Sequence, residues 1–501
     1  MKKILCLLLC LLMAAQFIWV PAYATEEEGQ TVPAAETLPS AAGETAPPSE
    51  HGGLAPVLNG CRTMEAQEPL GGSVRLIGLE TAVSAFVYER NTGTLVYAFN
   101  PDMKMQPGTF TKLVAAAVAI ENGNLDDVVT VNSLSYRSLP GGAVTAKPYL
   151  KEGEELTLRD LLHLMILTWA NDATITVAEH IGGSQENFVK MMNEWIKEAG
   201  CTDTNFLNCH GLGSTEQRTT ARDLARIVEH ACRNAYFREL FGANSYKVPA
   251  TNKTDAPREL KALNYLKEET YMPNLVYPGV TGGIAHYSEV SGASLVCTAE
   301  ENGMSYTVVV LGATRTFKSN GWSVESYGNY EEAWTLLDYA FDNFKICRLL
   351  HEGQSMAQFP VAGGENHVVS QTHASMDAIL PISARLANLI LKYTVVGGGL
   401  TAPLKKDQNI ANLQIWYRTS CIVEAELYAM SPVRAVADLD LDIQGAASRD
   451  DSNLSQFLSF VGIVCLVILV PLALYLVVNH ARRLLARGRR RRRRVQRRRS
   501  R

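Results

Sequence analysis

Short alternating apolar runs, longer helical runs and two unbroken apolar stretches divide this 501-residue chain. SAFVYER at Ser84–Arg90, the turn Asn91-Thr92-Gly93 and TLVYAF at Thr94–Phe99 predict a β-hairpin. An alanine-rich run after Lys112 predicts a helix. From Leu158 to about Phe241, LRDLLHLMILTWANDATITVAEHI and GSQENFVKMMNEWIKEAG keep apolar residues at i, i+3 and i+4, so a mainly helical region is expected. Strands are expected again in ASLVCTAE and SYTVVVLGAT, followed by a closing helix, YEEAWTLLDYAFDNF. Strands, helices, strands and a final helix predict an α+β sheet covered by helices. From Lys345 to Asp438 the pattern changes to short alternating strands (MAQFPVAG, ILKYTVVG, NLQIWYRT, CIVEAELYAM), which predicts a small β-rich second domain.

The two unbroken apolar stretches lie near the ends. At the N-terminus, Lys2 and Lys3 precede an apolar core at Ile4–Val20 and a small-x-small site at Ala22-Tyr23-Ala24, which predicts a cleaved signal peptide over 1–24. The Glu-, Pro-, Ala-, Gly- and Ser-rich segment 25–74 lacks the apolar content to fold and is expected to be a disordered spacer. Residues 75–344 and 345–438 form the two expected domains, and 439–456 an acidic linker. Residues 457–478, FLSFVGIVCLVILVPLALYLVV, carry no charge and are long enough for one membrane span. The tail 479–501 has 13 arginines and no acid, so positive-inside logic puts it in the cytoplasm and the preceding domains outside. The tail is read as a topology anchor on anionic lipids, and no nucleic-acid partner is expected.

This arrangement changes the meaning of the formal charge of −4. Without the tail arginines, Lys2 and Lys3, 32 basic residues stand against 51 acidic ones, so the exported part is strongly acidic. Seven of the ten cysteines belong to that part, an odd number without a CxxC pair. Cys201 and Cys209 are spaced so that they pair if their loop folds back; the alternative is small buried thiols. His163, His210 and His286 lack the spacing of a metal site and are read as structural or surface residues.

Three segments carry candidate chemistry: Thr109-Phe110-Thr111-Lys112, Trp169-Ala170-Asn171 and Thr281-Gly282-Gly283. With the hairpin, TNFLNCHGL, TTARDLARIV and GLTAPLKKDQNIANLQIW, they resemble the low-molecular-mass penicillin-binding proteins, the serine-type D-Ala-D-Ala carboxypeptidases, over most of residues 80–440. The resemblance implies a penicillin-binding-protein/β-lactamase-like sheet with helices on both sides and a C-terminal β domain. It also implies peptidoglycan stem peptides and β-lactams as partners, with no metal or organic cofactor. The family's motifs are Ser-x-x-Lys, Ser-x-Asn and Lys-Thr-Gly. Serine attacks the carbonyl, the lysine one turn later takes its proton, the second serine relays a proton, and the third-motif lysine attracts the substrate carboxylate.

Compared position by position, Thr109 keeps the hydroxyl but adds a β-methyl, while Lys112 and Asn171 are retained. Trp169 replaces the relay serine; its alternative reading is a core residue with the Thr168 hydroxyl as substitute. Gly279-Val280 align Thr281 with the lost lysine, Gly282 with the threonine and Gly283 with the retained glycine. The other register places Val280 at the lysine position, and either one lacks the cation. The expectation is a membrane-anchored bacterial wall protein that binds peptidoglycan or a partner as an impaired pseudoenzyme. The alternative is an active carboxypeptidase using Thr109.

Overall fold

The computed structural model describes residues 64, 67–132, 139, 143–213, 216–267, 272–319 and 323–436. The expected signal peptide, linker, membrane span and arginine tail lie outside the described residues, as does most of the spacer. Among the described residues, no helix is long and apolar enough to cross a membrane.

The central sheet contains β1 (Ser84–Glu89), β2 (Thr94–Phe99), β3 (Val280–Ser288), β4 (Gly292–Glu301) and β5 (Met304–Ala313). Its order is β2-β1-β5-β4-β3, with every neighbouring pair antiparallel. β4 and β5 are buried along most of their length, which explains their nearly continuous apolar run. Successive β5 residues serve opposite layers. Tyr306 donates to Ala340 O on one face, and Thr307 donates to Glu229 on the other.

The helices are α1 (Thr111–Asn122), α2 (Leu158–Leu167), α3 (Asn171–Gly182), α4 (Gln185–Glu198), α5 (Ala221–Ala231), α6 (Ala235–Gly242) and α7 (Gly328–Asn343). Tyr306 thus faces α7, and Thr307 faces α5. A 3₁₀ turn, Gly108–Phe110, leads into α1, whose residues 111–119 are all buried. A helix apolar all round is a core helix, and here it carries a lysine into that core. The run expected as one helix from Leu158 breaks into α2 and α3. The Thr168 and Ala170 amides both turn back to Leu164 O, and Trp169 takes φ +56°.

The C-terminal β-rich part is built on β6 (Ser355–Phe359), β7 (Val368–Gln371), β8 (Leu389–Val395), β9 (Asn409–Tyr417) and β10 (Ser420–Ala429), in the order β6-β7-β10-β9-β8. Contact density places these strands and the central sheet in one compact unit. A smaller unit includes Gly363–Asn366 and residues 433–436, where the Val436 amide bonds to Gly363 O and the Glu365 amide to Arg434 O. Cys201 and Cys209 are buried thiols not joined to each other by a disulfide, with Cys201 Sγ donating to Asp223 O, whereas Cys421 is disulfide-bonded.

Candidate active site

Lys112, in the first turn of α1, is only 2% exposed. Its ammonium donates to Asn171 Oδ1 at 2.6 Å and to His210 O at 2.9 Å. Asn171 opens α3 and is held by two donations to Val144 O, from its backbone N–H at 2.9 Å and from Nδ2 at 2.8 Å. The His210 carbonyl reaches the lysine because two glycines meet closely: a Cβ on Gly211 would lie 1.9 Å from Gly108 O. Burial pushes the Lys112 ammonium down to about 7, although the nearby Cys209 and Asp172 oppose that shift. A lysine titrating there holds and releases protons near neutral pH, as a general base requires.

Thr109, in the preceding 3₁₀ turn, faces another partner. Its backbone N–H donates to His286 Nδ1 at 3.3 Å, and its Oγ1 lies 3.1 Å from the same nitrogen. His286 stands on β3, the strand that carries Thr281, Gly282 and Gly283. Alternation along β3 directs Gly282, Ile284 and His286 to one face. A Cβ on Gly282 would meet the Phe241 ring at 2.4 Å, and one on Gly108 would meet the His286 ring at 2.3 Å. Only glycine at 108, with φ +49°, admits the ring. Burial and the Lys112 charge lower His286 to about 4, so its ring is neutral at physiological pH.

Trp169 brings no hydroxyl to the loop between α2 and α3. Its left-handed backbone is unusual for so large a residue, and its half-buried ring packs against the main core. Thr168 does not replace the missing serine, because its hydroxyl is bonded to Leu164 O at 2.7 Å. At the third motif, Thr281 is exposed in a bulge of β3 and its Oγ1 pairs with Thr298 Oγ1 at 2.7 Å. A cation beside this strand is Lys267, which donates to Thr281 O at 3.2 Å and to Gly242 O.

The structure therefore brings Lys112 and Asn171 together and joins Thr109 to the third-motif strand through His286. The sequence reading set His286 aside as structural or surface. Its signal was positional: it shares a strand face with Gly282 and Ile284. Among the described residues, no group of three or more His, Cys, Asp or Glu is placed to hold a metal ion.

The model of the D-alanyl-D-alanine carboxypeptidase family, peptidase S11, matches residues 78–315. D-alanyl-D-alanine carboxypeptidase DacF of Bacillus subtilis is 26% identical over 361 residues, covering 72% of this chain and 86% of its own. DacA of Haemophilus influenzae is 28% identical over 364 residues, covering 70% of this chain and 85% of its own. The solved structure of penicillin binding protein 5 from Haemophilus influenzae superposes with a TM-score of 0.56 at 26% identity. It covers 71% of this chain and 98% of that one. Over this region the chain is similar to the D-alanyl-D-alanine carboxypeptidases, and its fold is that of the low-molecular-mass penicillin-binding proteins.

Proposed function

We propose that this protein recognises D-Ala-D-Ala ends of peptidoglycan stem peptides at the outer face of a bacterial membrane and turns them over poorly or not at all. The observation that carries this reading is the second motif. Trp169 has no hydroxyl through which to relay a proton, and the neighbouring Thr168 hydroxyl is committed to Leu164 O. Losing one acid–base participant costs about 10²–10⁴ in rate. Thr281, in place of a cation, removes attraction for the terminal carboxylate as well. The signal peptide, the single C-terminal span and the arginine tail on anionic lipid heads belong to the same proposal. Calorimetry with a D-Ala-D-Ala stem peptide should give saturable binding, while D-alanine release stays at the level of Thr109→Ala. Absence of binding removes the recognition role, and release above that control removes the pseudoenzyme.

The second reading keeps an active enzyme, with Thr109 as nucleophile and Lys112 as base. It is favoured by the position and lowered proton affinity of Lys112. It requires D-alanine release that disappears in Lys112→Ala.

A further inference from the structure

The histidine on β3 takes up hydrogen-bonding capacity that acyl transfer at Thr109 would need. When a side-chain hydroxyl attacks an acyl carbon, the carbonyl oxygen becomes an oxyanion that must collect backbone N–H donors. The amide of the attacking residue is one such donor in serine proteases. Here that amide already points to His286 Nδ1 at 3.3 Å, and the Thr109 hydroxyl lies 3.1 Å from the same nitrogen.

The ring is anchored rather than merely adjacent. Because Nδ1 accepts an N–H, it carries no proton, so the ring proton sits on Nε2. Nε2 lies 3.1 Å from Ser291 Oγ, which is 2.5 Å from Ser288 Oγ, and Ser288 Oγ also accepts the Ser291 amide at 3.0 Å. On its other side the ring lies over Gly108, where any Cβ would collide with it. The edge of Phe110 meets it at a centroid distance of 6.1 Å.

We propose that His286 is a positioning residue that fills the carbonyl seat beside Thr109 and keeps the cleft closed to acyl donors. This inference rests on the silent-cleft reading above and names the device that enforces it. A rival role for the same ring is general base to Thr109. The geometry opposes that role, because the nitrogen that would take the hydroxyl proton also holds the amide that would stabilise the oxyanion. With the ring removed, Lys112 stays one helical turn after Thr109 in the chain, with a fraction of its amine neutral near pH 7. Thr109 Oγ1 would then bond to the carbonyl carbon of a β-lactam. The lactam C–N bond would break, and the hydroxyl proton would pass through Lys112 Nζ to the lactam nitrogen.

The test is covalent labelling of the full-length, detergent-solubilised protein with a fluorescent penicillin, with the adduct mapped by mass spectrometry. Wild type should stay unlabelled. His286→Ala should gain an adduct on Thr109, at a rate on the order of 10²-fold above the wild-type background, the size of one oxyanion donor. The double variant His286→Ala/Thr109→Ala should lose it. Folded His286→Ala that stays as unreactive as wild type overturns the seat alone and leaves the silent-cleft reading standing. A Thr109 adduct on wild type overturns the silent-cleft reading together with the seat; its loss in His286→Ala would identify the ring as a base. If His286→Ala does not fold, His286→Ser carries the same comparison. In wild type, ¹⁵N NMR should find His286 Nδ1 unprotonated at neutral pH, and a protonated Nδ1 contradicts the proposal.

Discussion

The two walls of the cleft have been held to different standards. On one wall, Lys112, Asn171 and the His210 carbonyl form a closed set. A buried ammonium must have acceptors, Asn171 supplies one, and Asn171 is itself fixed on Val144 O. Removing Asn171 leaves the buried Lys112 ammonium short of an acceptor. On the other wall, Thr281 is exposed and Trp169 is half-buried. Thr109 is tied to a histidine that the sequence motifs do not include. Changes there cost the fold little, so the scaffold can persist while the chemistry drifts. Retained motif residues in the interior are therefore weaker evidence of catalysis than retained residues at the rim would be.

The largest test of this contrast is Asn171→Leu. It takes an acceptor from the buried Lys112 ammonium, while Val144 O keeps the backbone N–H of residue 171, and should cost roughly 3 kcal/mol in chemical denaturation, the upper end for one stranded buried group because that group is charged. Adding Lys112→Met should recover part of that loss, and simple additivity of the two changes would break the idea of a closed set.

Next comes the pH dependence of stability. The folded Lys112 titrates near 7, well below the unfolded value of 10.5. Between these values the unfolded chain binds a proton that the folded chain lacks. Stability from this group therefore rises as pH climbs from 7 toward 10.5 and is lost as pH falls back from 10.5 to 7. The slope should approach about 1.4 kcal/mol per pH unit between pH 8 and 9 and should be absent in Lys112→Met. His286 and His210, both held neutral by burial down to about 4, act in the same direction at lower pH. Their contribution is lost as pH falls from 6.5 toward 4, and His286→Ala should remove one part of that loss.

Gly108→Ala sharpens the other wall. The left-handed backbone and the collision with the His286 ring should together cost about 1–3 kcal/mol, and less when His286 is also alanine. The smallest effect belongs to Thr281→Lys. Exposed as it is, the change should alter stability by no more than about 1 kcal/mol while tightening binding of a peptide with a free C-terminal carboxylate. Unchanged affinity would argue against Thr281 as the third-motif cation position.

Much of the architecture was legible because it follows from periodicity. The Ser84–Phe99 hairpin, the buried helix after Lys112, the β4–β5 pair and the closing helix each have one pattern that explains them. The break at Trp169 was hidden, because apolar spacing continues through it and only the backbone turn separates α2 from α3. β3 announces itself in the sequence only through its Thr281-Gly282-Gly283 motif, since two glycines weaken any strand signal. The role of His286 was not visible for a related reason. Its meeting with Thr109 depends on the absence of a side chain at Gly108, 178 positions earlier, and sequence spacing does not report such a gap.

The most direct measurement is D-alanine release by full-length protein at high concentration, with a D-Ala-D-Ala stem peptide whose binding is measured in the same samples. The account predicts saturable binding with release no greater than that of Thr109→Ala. Release above that control, abolished by Lys112→Ala, would contradict it and make this cleft an active carboxypeptidase with a threonine nucleophile.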